Sequence, residues 1–142
     1  MKVMKNALIL FILCSIFLSE GTSVAQKKFT RISEQDGAAF YYKWKPSKCL
    51  KKDSPLMLIL MVSNSKQSNA EIDFTVDYYW QGIRAASSEP KTICVRAGKK
   101  MKGKYRNLAF DRSRFSNEDL LSDEFILEIS GVTVSEVDSC RK

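Results

Sequence analysis

The sequence predicts an all-β protein, an antiparallel sandwich of about seven or eight short strands with one helical turn near residues 116–121. Three observations carry that expectation. Apolar residues recur with period two along most segments, as they do where one face of a sheet is buried and the other is wet. Clusters of Gly, Pro, Ser and Asn punctuate those segments at roughly ten-residue spacing. Only one stretch, Ser116-Asn117-Glu118-Asp119-Leu120-Leu121, carries the start signal of a helix.

Ahead of the first strand, residues 1–25 read as a cleavable export signal. Lys2 and Lys5 give a positive start, Ala7 to Leu18 form an apolar run broken only by Ser15, and Gly21-Thr22-Ser23-Val24-Ala25 supplies the small residues of a cleavage site. The run is shorter than the roughly 20 apolar residues that a helix needs to span a bilayer, so no transmembrane span is expected after cleavage. Residues 26–142 are then one domain of 117 residues, long enough to bury a core. Losing Lys2, Lys5 and Glu20 takes the formal charge from +7 to +6. The acids are interspersed, so the surface is basic but mixed. The expected location is secreted or periplasmic.

Taken in order, Ala39 to Lys45 places Phe40, Tyr42 and Trp44 on one face of a strand and Lys43 and Lys45 on the other, with Pro46 ending it. Leu56 to Val62 is a continuous apolar run between Pro55 and Ser63-Asn64-Ser65; seven residues long, it reads as a buried strand rather than a helix. Ile72 to Trp80 is the clearest element. Ile72, Phe74, Val76, Tyr78 and Trp80 fall on one side, and Asp73, Thr75, Asp77 and Tyr79 on the other. Gln81-Gly82 predicts a turn into Ile83-Arg84-Ala85, and Ser87 to Pro90 breaks the chain before a strand over Thr92–Arg96. Ala97 to Lys100 turns again, ahead of a strand over Lys104–Phe110. In the helical stretch Ser116 caps and Asp119 stands three residues on, an arrangement resembling a capping box. Phe125–Ile129 and Val132–Val134 close the domain. Their apolar positions change parity across Gly131, which predicts a bulge or bend there.

Four cysteines become three once Cys14 leaves with the signal, so an oxidising compartment suggests one disulfide and one leftover thiol. Cys49 and Cys140 both sit in polar segments at element ends, whereas Cys94 lies inside an apolar strand. The expected bridge is therefore Cys49–Cys140, with Cys94 a small buried hydrophobe. Loop entropy does not separate this pairing from Cys49–Cys94: closure is worth about 4.6 and about 4.0 kcal/mol respectively. The chain has no histidine and no paired Cys-x-x-Cys spacing. A structural zinc site lacks ligands, and a Cys–His nucleophile cannot form.

From Leu56 through Phe110 the chain resembles immunoglobulin-like domains of exported bacterial proteins. An apolar strand ending in Asn64-Ser65, an alternating strand with aromatics, and a Gly98-Lys99 turn before another strand follow in that order. The likeness covers about half of residues 26–142 and lies at the level of pattern. The Cys and Trp spacing of antibody domains is absent, because Cys49 precedes its strand and Trp80 ends one. The resemblance implies an immunoglobulin-like sandwich and leaves function open.

Three groups of side chains are candidates for chemistry. Aromatics on the apolar faces (Tyr42, Trp44, Tyr78, Trp80) are core; Tyr41 and Tyr79 sit on the polar faces and are the candidates for a carbohydrate platform. Lys99, Lys100, Lys102, Lys104 and Arg106 form a basic strip able to meet an anionic lipid or polysaccharide, or simply to guard a sheet edge. Nucleic acid is not expected, given export and the lack of a recognition motif. Asp73 and Asp77 share a strand face about 7 Å per step apart, but Asp and Thr are ordinary there. Glu118, Asp119, Asp123 and Glu124 lack the alternate-residue spacing of a calcium loop. No catalytic residue, metal or cofactor is expected. The leading expectation is a non-enzymatic module binding a protein partner in the envelope or outside the cell. The alternative is a module for carbohydrate or an anionic surface, using Tyr41, Tyr79 and the basic strip.

Overall fold

Residues 28–51, 53–103, 109–110 and 115–141 are described by the structure, a computed structural model. The expected export signal, Lys104 and Arg106 fall outside them. Among the described residues nine strands and one helix follow in order: β1 (Thr30–Gln35), β2 (Ala38–Pro46), β3 (Leu56–Asn64), β4 (Asn69–Trp80), β5 (Ile83–Ser87), β6 (Lys91–Val95), β7 (Lys100–Lys102), β8 (Ala109–Phe110), α1 (Asn117–Leu121) and β9 (Phe125–Val137). They form two antiparallel sheets.

Each sheet is organised on one long strand. In sheet A, β2 pairs along all of β3, from Ala38–Asn64 to Pro46–Leu56, and β1 lies outside β2. β7 and β8 take the opposite edge of β3 in succession, at Met61–Ser63 and at Leu58–Ile59. Sheet B repeats the plan. β9 runs the length of β4, and the other edge of β4 is shared by β6 at Ala70–Phe74 and β5 at Asp77–Trp80.

Period-two patterning decides which faces meet. Phe40, Trp44, Leu58, Leu60 and Val62 of sheet A and Ile72, Phe74, Val76, Tyr78 and Val95 of sheet B join one buried cluster. The rings of Phe40 and Phe74 meet edge-on across it at 5.2 Å, and Trp44 meets Phe125 at 5.9 Å. Asn64, 2% exposed at the end of β3, ties the sheets together: its amide donates to the carbonyls of Ser68 (2.8 Å) and Val95 (3.0 Å), and its oxygen accepts from the Lys66 N–H. A buried amide satisfied this fully fixes how β3 hands the chain to β4.

The turn and cap chemistry follows the sequence. Gln81 and Gly82 both take positive φ (50° and 77°), the requirement of a two-residue hairpin whose twist matches its strands. Ser116 caps α1 and Asp119 completes a capping box, which lowers the Asp119 pKa through its bonds to the Ser116 backbone and hydroxyl. At Gly131 (φ 59°) the β4–β9 register shifts between Asp73 and Thr75, so the inward set changes from Phe125, Leu127, Ile129 to Val132, Val134. β1 was not expected, since Thr-Arg-Ile-Ser-Glu-Gln has no clear alternation. The Asp36-Gly37 turn, with φ of 49° and 82°, folds it back onto β2.

The disulfide corrects the sequence reading. The bridge joins Cys94 to Cys140, with Cα atoms 5.4 Å apart, and Cys49 is a free, exposed thiol. Two physical facts decide it. Ile93 and Val95 take the inward positions of β6, so Cys94 points out of the sandwich rather than into the core. Cys49 lies before the start of β3, whereas the chain after β9 is held at the start of β4, where the Asn69 amide donates to the Asp138 carbonyl at 3.0 Å. The nine residues of β3, about 30 Å, separate those two ends.

Candidate functional site

The inner faces are committed to the core, so chemistry must come from the two outer faces or the connections. On the outer face of sheet B, Asp73 and Asp77 are held by hydroxyls of the neighbouring strands. Asp73 accepts from the Thr92 hydroxyl of β6 at 2.5 Å and from the Thr133 hydroxyl of β9 at 2.9 Å. Asp77, 4% exposed, accepts from the Ser87 hydroxyl of β5, and Arg84 approaches it to 3.9 Å. Each carboxylate thus lies between hydroxyls of the strands that flank β4. These bonds favour the charged form and pull both pKa values below the ordinary range, through Thr92 and then Thr133 for Asp73, and Ser130 and then Ser87 for Asp77. Those bonds tie β4 to the strands on either side of it.

The outer face of sheet A is built differently. β3 is apolar on both sides: Leu56, Leu58, Leu60 and Val62 point inward, and Met57, Ile59 and Met61 point outward. Register sets cations beside this outward rail. Lys45 lies opposite Met57 and Lys43 opposite Ile59 on β2, while Lys102 lies opposite Met61 on β7. Ile59 is only 7% exposed, while Met57 and Met61 are half-buried. Lysine stems are suited to covering apolar surface in this way with the ammonium left in water.

Between these residues lies a cleft of about 330 Å³. Its floor is Met57, Ile59, Pro46 and Phe29, and its cations are Lys43, Lys45 and Lys102. The Lys43 ammonium stands 4.7 Å from the centre of the Phe29 ring, a cation–π contact that holds it over the floor. Among the described residues no carboxylate lines the cleft, and none of the three lysines has an ion-pair partner. Cys49 lies at its edge, on the connection between β2 and β3. That connection is braced. The Ser47 N–H donates to the Pro55 carbonyl (2.8 Å), the Lys48 N–H to the Ser54 hydroxyl (3.2 Å), and the Asn117 side chain of α1 accepts from the Leu56 N–H (2.9 Å) and donates to the Ser54 carbonyl (3.2 Å).

The sequence-derived candidates divide between the two faces. Tyr41 lies opposite Met61 on the outer face of sheet A, in the same cross-strand row as Lys102, with Lys100 one step further along β7. Lys99 is exposed in the turn before β7. Tyr79 is on the outer face of sheet B between Arg84 and Ile126. Tyr41 and Tyr79 are therefore on opposite sides of the molecule and do not form one platform. Lys43, Lys45, Phe29 and the outward residues of β3 were not among the candidates; the signal that finds them is the apolar content of β3 on both faces.

No protein family matches the chain, and no curated protein or solved structure is significantly similar to it.

Proposed function

We propose that this chain is an exported, non-enzymatic binding module of immunoglobulin-like kind, working in the envelope or extracellular space, and that it meets its partner through the outer face of sheet A. The carrying observation is the trio Lys43, Lys45 and Lys102 beside an apolar rail, with no acidic partner among the described residues. Charges without internal partners are available to an external anion, and together they produce a field that draws anions to this side. A bridge between Cys94 and Cys140 suits an oxidising compartment. Two antiparallel sheets around one buried core support the immunoglobulin-like reading. The partner surface is anionic, and Tyr41 borders its contact. Tyr79, on the other side, takes no part.

Dextran sulfate serves as a generic polyanion for the test. The oxidised protein should bind it with an affinity that falls steeply with salt, since exposed charges are screened over about 8 Å at physiological ionic strength. The triple variant Lys43→Gln, Lys45→Gln, Lys102→Gln should bind about tenfold or more weakly, which is the scale expected for a focused basic patch. Equal binding by the variant would overturn the assignment of this face.

A further inference from the structure

The same face carries a more specific feature than its charge. A basic surface that only meets polyanions has no use for an apolar floor, and a central strand that only needs solubility has no reason to turn Met57, Ile59 and Met61 to its outer side. Sheets with one wet face alternate polar residues outward, as β4 does with Glu71, Asp73, Thr75 and Asp77. β3 departs from that rule where the cleft lies. The cleft's volume is at the lower end of the range for small-molecule sites, and its make-up, an apolar lining with a few placed polar groups, is the usual one.

We propose, building on the reading above, that the cleft binds a single amphiphile: a short apolar chain carrying one anionic head group. The chain lies along Met57 and Ile59 with Phe29 and Pro46 at its sides. The head group is met by Lys102 beside Met61, Lys43 stands beside Ile59 held over the floor by Phe29, and the Lys45 stem flanks the chain at Met57. Lysine, a compact cation on a flexible stem, takes a carboxylate or a phosphate head equally well, so the shared chemistry is an anion on an apolar tail. Methionine and unbranched lysine stems adapt to a chain of variable length. Cys49, at the edge of the cleft, is a built-in reporter of occupancy.

The test uses the exported, oxidised protein with decanoate, decyl phosphate and decanol, each below its micelle-forming concentration. Decanoate or decyl phosphate should bind saturably at one site per chain, and their ratio identifies the preferred head group. Decanol should bind at least tenfold more weakly. Bound ligand should slow alkylation of Cys49 by iodoacetamide several-fold. Met57→Trp, which fills the cleft from a half-buried position, should abolish binding of the amphiphiles. The triple lysine variant should lose both amphiphile and dextran sulfate binding. Thermal denaturation of each variant establishes that it is folded.

Absence of saturable binding, equal affinity for decanol, or full binding by Met57→Trp would overturn the inference. If the triple variant loses dextran sulfate while the wild-type protein takes no amphiphile, the basic face stands and the cleft proposal falls. If dextran sulfate binding is indifferent to the three lysines, the underlying reading falls as well.

Discussion

The two outer faces of this sandwich treat charge in opposite ways. On sheet B, Asp73 and Asp77 are locked between hydroxyls from both neighbouring strands, and the Cys94–Cys140 bridge covers the end of the same sheet. On sheet A, Lys43, Lys45 and Lys102 stand over an apolar rail with no acidic partner among the described residues. Partnered charges stabilise a fold; unpartnered ones are available to something outside it. The comparison predicts that changes to face B register in stability, and changes to face A in binding.

The largest effect should come from the bridge. It closes 46 residues of sequence separation, for which the chain-entropy account gives about 4 kcal/mol, and native bridges commonly deliver 2–4. Replacing both Cys94 and Cys140 with Ala should lower stability by about that amount in denaturant titration. A variant as stable as the parent would remove the staple from the argument.

Asp77→Ala comes next. It strands the Ser87 and Ser130 hydroxyls and leaves Arg84 without its acid, at a cost of about 1–3 kcal/mol. The pH dependence has a definite sign. Folding lowers the pKa of Asp73 and Asp77, so their contribution is complete above the unfolded value of about 3.9 and is lost as pH falls through the folded values. The melting temperature should hold steady from neutral pH to about 5 and drop below about 4, with a shallower drop in Asp77→Ala. An equally steep drop in the variant would show that other acids carry the acid limb.

The triple replacement of Lys43, Lys45 and Lys102 with Gln should change stability least, by no more than about 1 kcal/mol, since Lys45 and Lys102 are exposed and half-buried Lys43 loses only its contact with the Phe29 ring. A loss of several kcal/mol would mean that the lysine stems, rather than any ligand, are what the apolar rail requires.

Much of the framework was legible because it rests on local pattern. The alternation of β4, the Gln81-Gly82 hairpin, the Ser116 cap and the Gly131 bulge each depend on a few adjacent residues. What pattern alone does not report is which sheet a strand joins. Tyr41 and Tyr79 look equivalent in sequence, each on the polar side of an aromatic strand, yet β2 and β4 belong to different sheets and their polar sides face opposite ways. β3 was read as buried because it is apolar throughout; only the sheet order leaves its second face outward, and that face became the candidate site. The disulfide was missed for a nearer reason. Ile93 and Val95 are the inward pair of β6, and their parity already turns Cys94 away from the core. Polarity of context favours Cys49 as the partner of Cys140, parity of position favours Cys94, and parity prevails.

The pairing of β4 with β9 also has a kinetic side. Its contacts run from Trp80–Phe125 to Asn69–Val137, so they close loops of several tens of residues, and β9 is made well after its partner. Until β9 arrives, β4 has one open edge along twelve residues, flanked by the apolar interior of a half-built sheet. Long-range pairings of this kind are slow to form, and an unpaired edge beside exposed apolar surface is where chains aggregate. The interval between completion of the β4–β5–β6 sheet and docking of β9 is therefore the stage at which a holdase would have most to protect, and mutations that weaken β9 should reduce the yield of folded protein more than they reduce its final stability.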